Sequence, residues 1–165
     1  MAKRIDVTKL PTLVGTRYPS PFDEPCLARE RKQLGDAAGL TQYGVNLLRL
    51  PPGTASSQRH WHSHEDEFVY VLAGEVTMVS NDGEEILRAG DAAGFPAGTG
   101  DGHCLQNRSG ADALVLEIGT RVPEDAVDYP DIDMILPAET KDDGLYYHRD
   151  GTPYPDGGRK GVRVN

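Results

Sequence analysis

The sequence predicts an all-β fold, a jelly-roll barrel with extended N- and C-terminal arms. Three observations carry that reading. Short apolar runs recur between residues 27 and 120, and a turn signal separates most neighbours. The chain holds 19 glycines and 12 prolines in 165 residues, well above the ~12% usual for the pair, which suits many turns and argues against a helical bundle. No stretch sustains a 3.6-residue apolar period, so helix content is expected to be low. Many short strands at such spacing form a sandwich or jelly-roll barrel, which also manages edge strands.

In chain order, residues 1–26 are polar and Pro-rich (YPSPFDEP) and read as an arm. Residues 27–121 read as the barrel, with strands at 27–34, 43–51, 67–73, 75–80, 84–89, 102–109 and 112–120. Turns are expected at PPG (51–53), NDG (81–83), RAGD (88–91) and SGAD (109–112). Residues 122–165 are acidic and Pro-punctuated and read as a second arm, wrapping the barrel or a partner subunit. Its Tyr146, Tyr147 and Tyr154 are better buried than dangling. The chain from Gly157 onward is expected to fray.

Composition bounds the function. The length fits one domain with one core. A formal charge of −9, with 26 acidic against 17 basic residues and no basic block, argues against a nucleic-acid partner. No apolar run reaches membrane-spanning length and the N-terminus has no apolar leader, so no membrane role is expected. Cys26 and Cys104 lack CxxC spacing, and two free thiols fit a reducing cytoplasm.

The densest chemistry is His60-Trp61-His62-Ser63-His64-Glu65-Asp66-Glu67, three imidazoles and three carboxylates in eight residues. On a strand, His60 and His62 project to one face and can reach one ion. A tight bend brings the Glu67 carboxylate round to it. A His/His/Glu set suits a divalent transition metal such as Fe, Mn, Ni, Cu or Zn.

A second stretch runs Gly90-DAAGF-Pro96-Ala97-Gly98-TGDG-His103-CLQ-Asn107. Together the two resemble the cupin superfamily, whose paired motifs are G(x)5HxH(x)3-4E(x)6G and G(x)5PxG(x)2H(x)3N. Gly53 opens the first motif and Gly74 closes it. Two spacings depart from the pattern: six residues separate Gly53 from His60, and four separate Gly98 from His103. The second insertion falls in a Gly-rich turn, where lengthening costs little entropy.

The resemblance covers roughly residues 44–120. It implies a metal held by His60, His62, Glu67 and His103, with up to two of six octahedral positions left for a small oxygen-rich ligand. It also implies a function class: a small-molecule metalloenzyme (oxygenase, isomerase or lyase) or a non-catalytic module that binds or senses a sugar or organic acid. His64 is read as a catalytic acid/base at the barrel mouth, as a substitute for His60, or as an ordinary loop histidine. His148 reads as a surface residue, Glu65 and Asp66 as solvated loop acids, and Asn107 as a hydrogen-bonding partner that fixes the pocket. Cys104, without a group to lower its pKa, is not read as a nucleophile. Arg49 and Arg59 read as surface residues, with reception of an anionic substrate as the alternative.

Trp61 lies between two inward ligands and should point outward, where a bare indole needs cover. With two arms available to cover it, a homodimer is expected.

Overall fold

A computed structural model describes residues 2–155 and, for the backbone, 162–164. The strands are β1 (Thr12–Val14), β2 (Glu30–Gln33), β3 (Tyr43–Leu50), β4 (Trp61–His62), β5 (Glu67–Ala73), β6 (Glu75–Ser80) and β7 (Gly83–Arg88). There follow β8 (Ala92–Phe95), β9 (Cys104–Gln106), β10 (Ala113–Thr120), β11 (Val127–Tyr129), β12 (Met134–Leu136) and β13 (Val162–Val164). They form a seven-stranded sheet ordered β13-β1-β2-β3-β10-β5-β8 and two three-stranded sheets, β12-β11-β4 and β7-β6-β9. Every pairing is antiparallel, as a jelly roll requires.

Alternation on β5 shows how sequence sets the layers. Val69 and Val71 face inward, 6% and 0% exposed, while Phe68, Tyr70 and Leu72 face outward at 38–45%. The inward residues join Leu48, Leu50, Val76, Leu87, Leu105, Ala113 and Val115 in the main core. Glu67 shares their parity, so its carboxylate is carried to the inner face. The turn from β5 to β6 depends on Gly74, at φ 75°, where a Cβ would lie 2.5 Å from the Asp112 carbonyl oxygen.

The terminal segments are built into the sheets. β1 pairs with β2, and β11 pairs with β4. Tyr18 and Cys26 from one end pack with Val127, Tyr129, Met134, Leu136 and Tyr146 from the other, forming a second apolar cluster. The Tyr18 ring meets those of Tyr129 and Tyr146 edge-on, each at 5.5 Å.

The structure departs from the sequence reading in five places. A short helix, Leu34–Ala38, follows β2 and ends at Gly39 with φ 79°. β8 lies where only a turn motif was legible, since Ala92 to Phe95 is too short and glycine-bearing to signal a strand. β1 in the N-terminal arm and β11 and β12 in the C-terminal arm lie where the sequence signals no strand. In the tail read as frayed from Gly157, Val162–Val164 pairs with β1, whereas residues 157–161 and 165 lie outside the described residues. Trp61 is half-buried, and the strand beside it is the chain's own β11, so the indole no longer argues for a partner. Among the described residues no helix is long and apolar enough to cross a membrane.

Candidate metal site and its cavity

Three backbone relationships assemble the site. His60 and His103 form a hydrogen-bonded antiparallel pair, His60 N–H to the His103 carbonyl at 3.1 Å and the reverse at 2.8 Å. His62 sits on β4 opposite Val127. Glu67 begins β5, between Phe95 and Gly119 on its two neighbours.

The side chains converge on one carboxylate oxygen. Glu67 Oε2 lies 3.5 Å from His60 Nε2, 3.5 Å from His62 Nε2 and 2.9 Å from His103 Nε2. The donor atoms of His60, His62 and Glu67 all lie within 4.8 Å of one another. His103 stands beside that trio, reached through Glu67, with its ring stacked on Phe95 at a centroid distance of 3.5 Å.

The opposite ring nitrogens fix the tautomers. His60 Nδ1 is 3.0 Å from the Gln58 carbonyl and His62 Nδ1 is 2.7 Å from Asp125 Oδ2. Both partners only accept, so Nδ1 carries the proton and Nε2 presents a lone pair towards Glu67. Lone pairs facing a carboxylate repel unless a cation lies among them, and this donor set fits a divalent transition metal. Without a metal a proton takes that part. Burial opposes charge on His62, but Asp125 and Glu67 outweigh it and raise its pKa. Burial likewise opposes charge on Glu67, yet hydrogen bonds to His103 and His60 hold its carboxyl well below the usual range. For His103 burial prevails and the pKa is lowered.

Asp125 is the residue that sequence reading missed. It is fully buried, and besides His62 it accepts the backbone N–H of His64 at 2.9 Å and Lys141 Nζ at 2.5 Å. Burial would raise its pKa, but His62 and Lys141 lower it far more. Lys141 also bonds Glu65 at 2.7 Å, and Glu65 accepts the Val122 N–H at 2.8 Å. Glu65 is therefore an anchor between the site and the C-terminal arm, not the solvated acid expected. Asp125 and Lys141 lie 58 and 74 residues beyond Glu67, outside both motifs, and no spacing rule points to them.

His64 is exposed on the loop, its Nδ1 2.8 Å from Ser63 Oγ, and it is not among the residues lining the cavity at the site. Asp66 is exposed but accepts the Ala97 N–H at 2.8 Å, tying the two motif loops together. Asn107 is buried and donates to the Leu50 and Ala111 carbonyls, both at 2.7 Å, so it fixes strand ends. Cys26 and Cys104 are free and buried, and burial pushes the Cys104 thiol up to about 11. Arg49 pairs with Glu30 and Asp112, and Arg59 with Asp131; neither lines the cavity. His148 bonds Asp133 at 2.8 Å on the arm's surface.

The site opens on a cavity of about 380 Å³ between the two apolar clusters. Polar residues dominate its wall: Arg17, Arg29, Arg31, Lys141, Glu117 and the tyrosines Tyr18, Tyr129 and Tyr146. Such a wall suits a small, oxygen-rich, charged ligand rather than an apolar one.

The Cupin domain family matches residues 46–119. No curated protein matches the chain. Among solved structures, a sugar phosphate isomerase of the cupin superfamily from Silicibacter pomeroyi is 37% identical, with a TM-score of 0.83 over 92% of this chain and 96% of that one. A proposed sugar phosphate isomerase from Acidithiobacillus ferrooxidans is 31% identical, with a TM-score of 0.63 over 83% of this chain and 76% of that one. A Thermotoga maritima protein predicted to be an oxalate decarboxylase is 21% identical, with a TM-score of 0.58 over 73% of this chain and 100% of that one, a likeness of fold alone. With both motifs in place, the histidines gathered on Glu67 and two relatives above 30% identity, the chain belongs to the cupin superfamily.

Proposed function

We propose that this protein is a metal-dependent isomerase of a phosphorylated sugar, holding one divalent transition metal through His60, His62, Glu67 and His103. The observation that carries the reading is the convergence of three imidazoles on Glu67 at the wall of a cavity rich in cations. The two relatives described as sugar phosphate isomerases favour isomerisation over the oxygenase and lyase alternatives.

A metal held there would supply Lewis acidity towards the oxygens of the sugar. The chain's own part is to move a proton between neighbouring carbons. Among the described residues lining the cavity, Glu117 is the carboxylate outside the histidine cluster, and Arg31 holds it at 2.9 Å. It is the proposed proton carrier. Burial pushes the phenols of Tyr18, Tyr129 and Tyr146 upward, so they stay protonated and serve as donors to sugar oxygens.

The test is interconversion of aldose and ketose phosphates in D₂O, followed by NMR, with protein loaded with Fe, Mn, Ni, Cu or Zn in turn. Turnover with deuterium entering at the carbon beside the carbonyl supports the reading. Binding without turnover would return the protein to the non-catalytic sugar- or acid-binding class.

We also propose a homodimer and a cytoplasmic location. The outward face of β5, with Phe68, Tyr70 and Leu72 exposed, is flanked by half-buried Leu47, Leu116 and Ile118 and supports pairing with a second copy. The free thiols support a reducing compartment.

A further inference from the structure

Four cationic side chains line the cavity beside the histidine cluster. Two have acidic partners: Lys141 bonds Asp125 and Glu65, and Arg31 bonds Glu117. The other two do not. Among the described residues, Arg17 and Arg29 form no ion pair. Arg17 donates from Nη1 to the Asp142 carbonyl at 2.8 Å. Arg29 donates from Nε to the Gly15 carbonyl at 2.9 Å and from Nη1 to the Ser56 carbonyl, and its guanidinium lies 6.0 Å from the centre of the Tyr18 ring.

Arg29 is only 8% exposed. A buried cation is costly without a counter-charge, and backbone carbonyls satisfy N–H groups without neutralising the charge. A chain with 26 acidic residues has no shortage of carboxylates, yet among the described residues none is spent on this pair of arginines. The two are also gathered in one place. The charges of Arg29, Arg17 and Arg31 all reach the Tyr146 hydroxyl, where they oppose the burial that raises its pKa. Arg31 in turn lies within electrostatic reach of Glu67, so the arginines and the histidine cluster share one chamber.

A clamp on the N-terminal segment accounts for the carbonyl bonds of Arg29 but not for the missing anion. Guanidinium groups match tetrahedral oxyanions through paired N–H donors, and each retains unused ones here. We propose that Arg17 and Arg29 form an anion subsite that receives the phosphate of a phosphorylated sugar whose hydroxy-carbonyl end faces His60, His62, Glu67 and His103. The nature of the rest of the ligand rests on the isomerase reading; the phosphate subsite does not.

The experiment is calorimetric titration of the full chain, as purified with its metal, using inorganic phosphate, a non-isomerisable sugar-alcohol phosphate and the phosphate-free sugar alcohol. Arg17→Gln is expected to weaken both phosphates about tenfold to a hundredfold, the loss of a charge-assisted contact. Arg29→Lys, which keeps the charge but not the fork, is expected to weaken them several-fold, with the melting temperature reporting its fold. Affinity for the phosphate-free alcohol should not change, and Arg49→Gln, on the outer surface, should bind phosphate as the unaltered protein does. Undiminished phosphate binding by Arg17→Gln and Arg29→Lys, or no phosphate binding at millimolar concentration by the unaltered protein, would overturn the subsite. If phosphate binding follows the expected pattern but no sugar phosphate is turned over, the isomerase reading falls and the subsite stands.

Discussion

Asp125 accepts a 2.7 Å hydrogen bond from His62 Nδ1, joining a residue of the C-terminal arm to a ring aimed at Glu67. The bond orients the imidazole, fixes its tautomer and makes Nε2 a better donor to a metal. Asp125→Ala should therefore lower metal affinity about tenfold to a hundredfold. It should also cost roughly 2–3 kcal/mol of stability, because Lys141 and buried N–H groups lose their acceptor. Metal titration and urea unfolding check the two effects separately. An unchanged metal affinity would remove Asp125 from the site.

His62→Ala should abolish most metal content in protein purified without a histidine tag, whereas His148→Ala should leave it unaltered. His148 is occupied with Asp133 and stacked on Tyr154 at 3.8 Å, and it is not part of the cavity wall. Elemental analysis of both variants decides the matter, and equal metal loss in the two would refute the ligand assignment.

Acid should destabilise the metal-free protein in a defined window. Asp125 and Glu67 are held below their ordinary values in the fold. Their contribution is complete above the unfolded carboxylate pKa of about 4 and is lost as pH falls towards the folded values. His62 is raised, so its contribution is present below about pH 6.5 and is lost as pH rises through its folded value. Urea midpoints in the presence of a chelator should fall below about pH 4; towards neutral pH the loss of the His62 contribution is opposed by His103, whose lowered pKa acts with the opposite sign. Metal binding releases the His62 proton, so affinity should rise with pH.

Glu117→Gln keeps the shape of the side chain but removes its proton-carrying capacity. If Glu117 is the proton carrier, kcat should drop by about a hundredfold to ten-thousandfold. Metal content and KM should hardly change, because the residue lies outside the histidine cluster. A variant with unaltered kcat would exclude that role.

Sedimentation at micromolar concentration should give twice the chain mass of 17.9 kDa. Leu72→Asp, on the outward face of β5 and 45% exposed, should shift the population to the single-chain mass without unfolding it. A monomer in the unaltered protein would refute the dimer.

The sequence by itself determined the fold class and the centre of the site. Period-2 alternation is local, so β5 and β6 were legible to the residue at Glu67–Ala73 and Glu75–Ser80, and the parity of Glu67 with Val69 and Val71 already sent its carboxylate inward. The glycines and histidines of the two motifs are equally local signals, because turn geometry and metal chemistry each demand particular residues at fixed offsets. Tertiary structure alone decided what surrounds them. Asp125 and Lys141 reach the site only because β11 docks on β4 and carries Asp125 to His62 across 63 residues, and Arg17 and Arg29 reach the cavity only because the two ends of the chain pack together. Such contacts arise from burial and charge pairing between distant segments. No periodicity records them, because the residues that make them have ordinary neighbours in sequence.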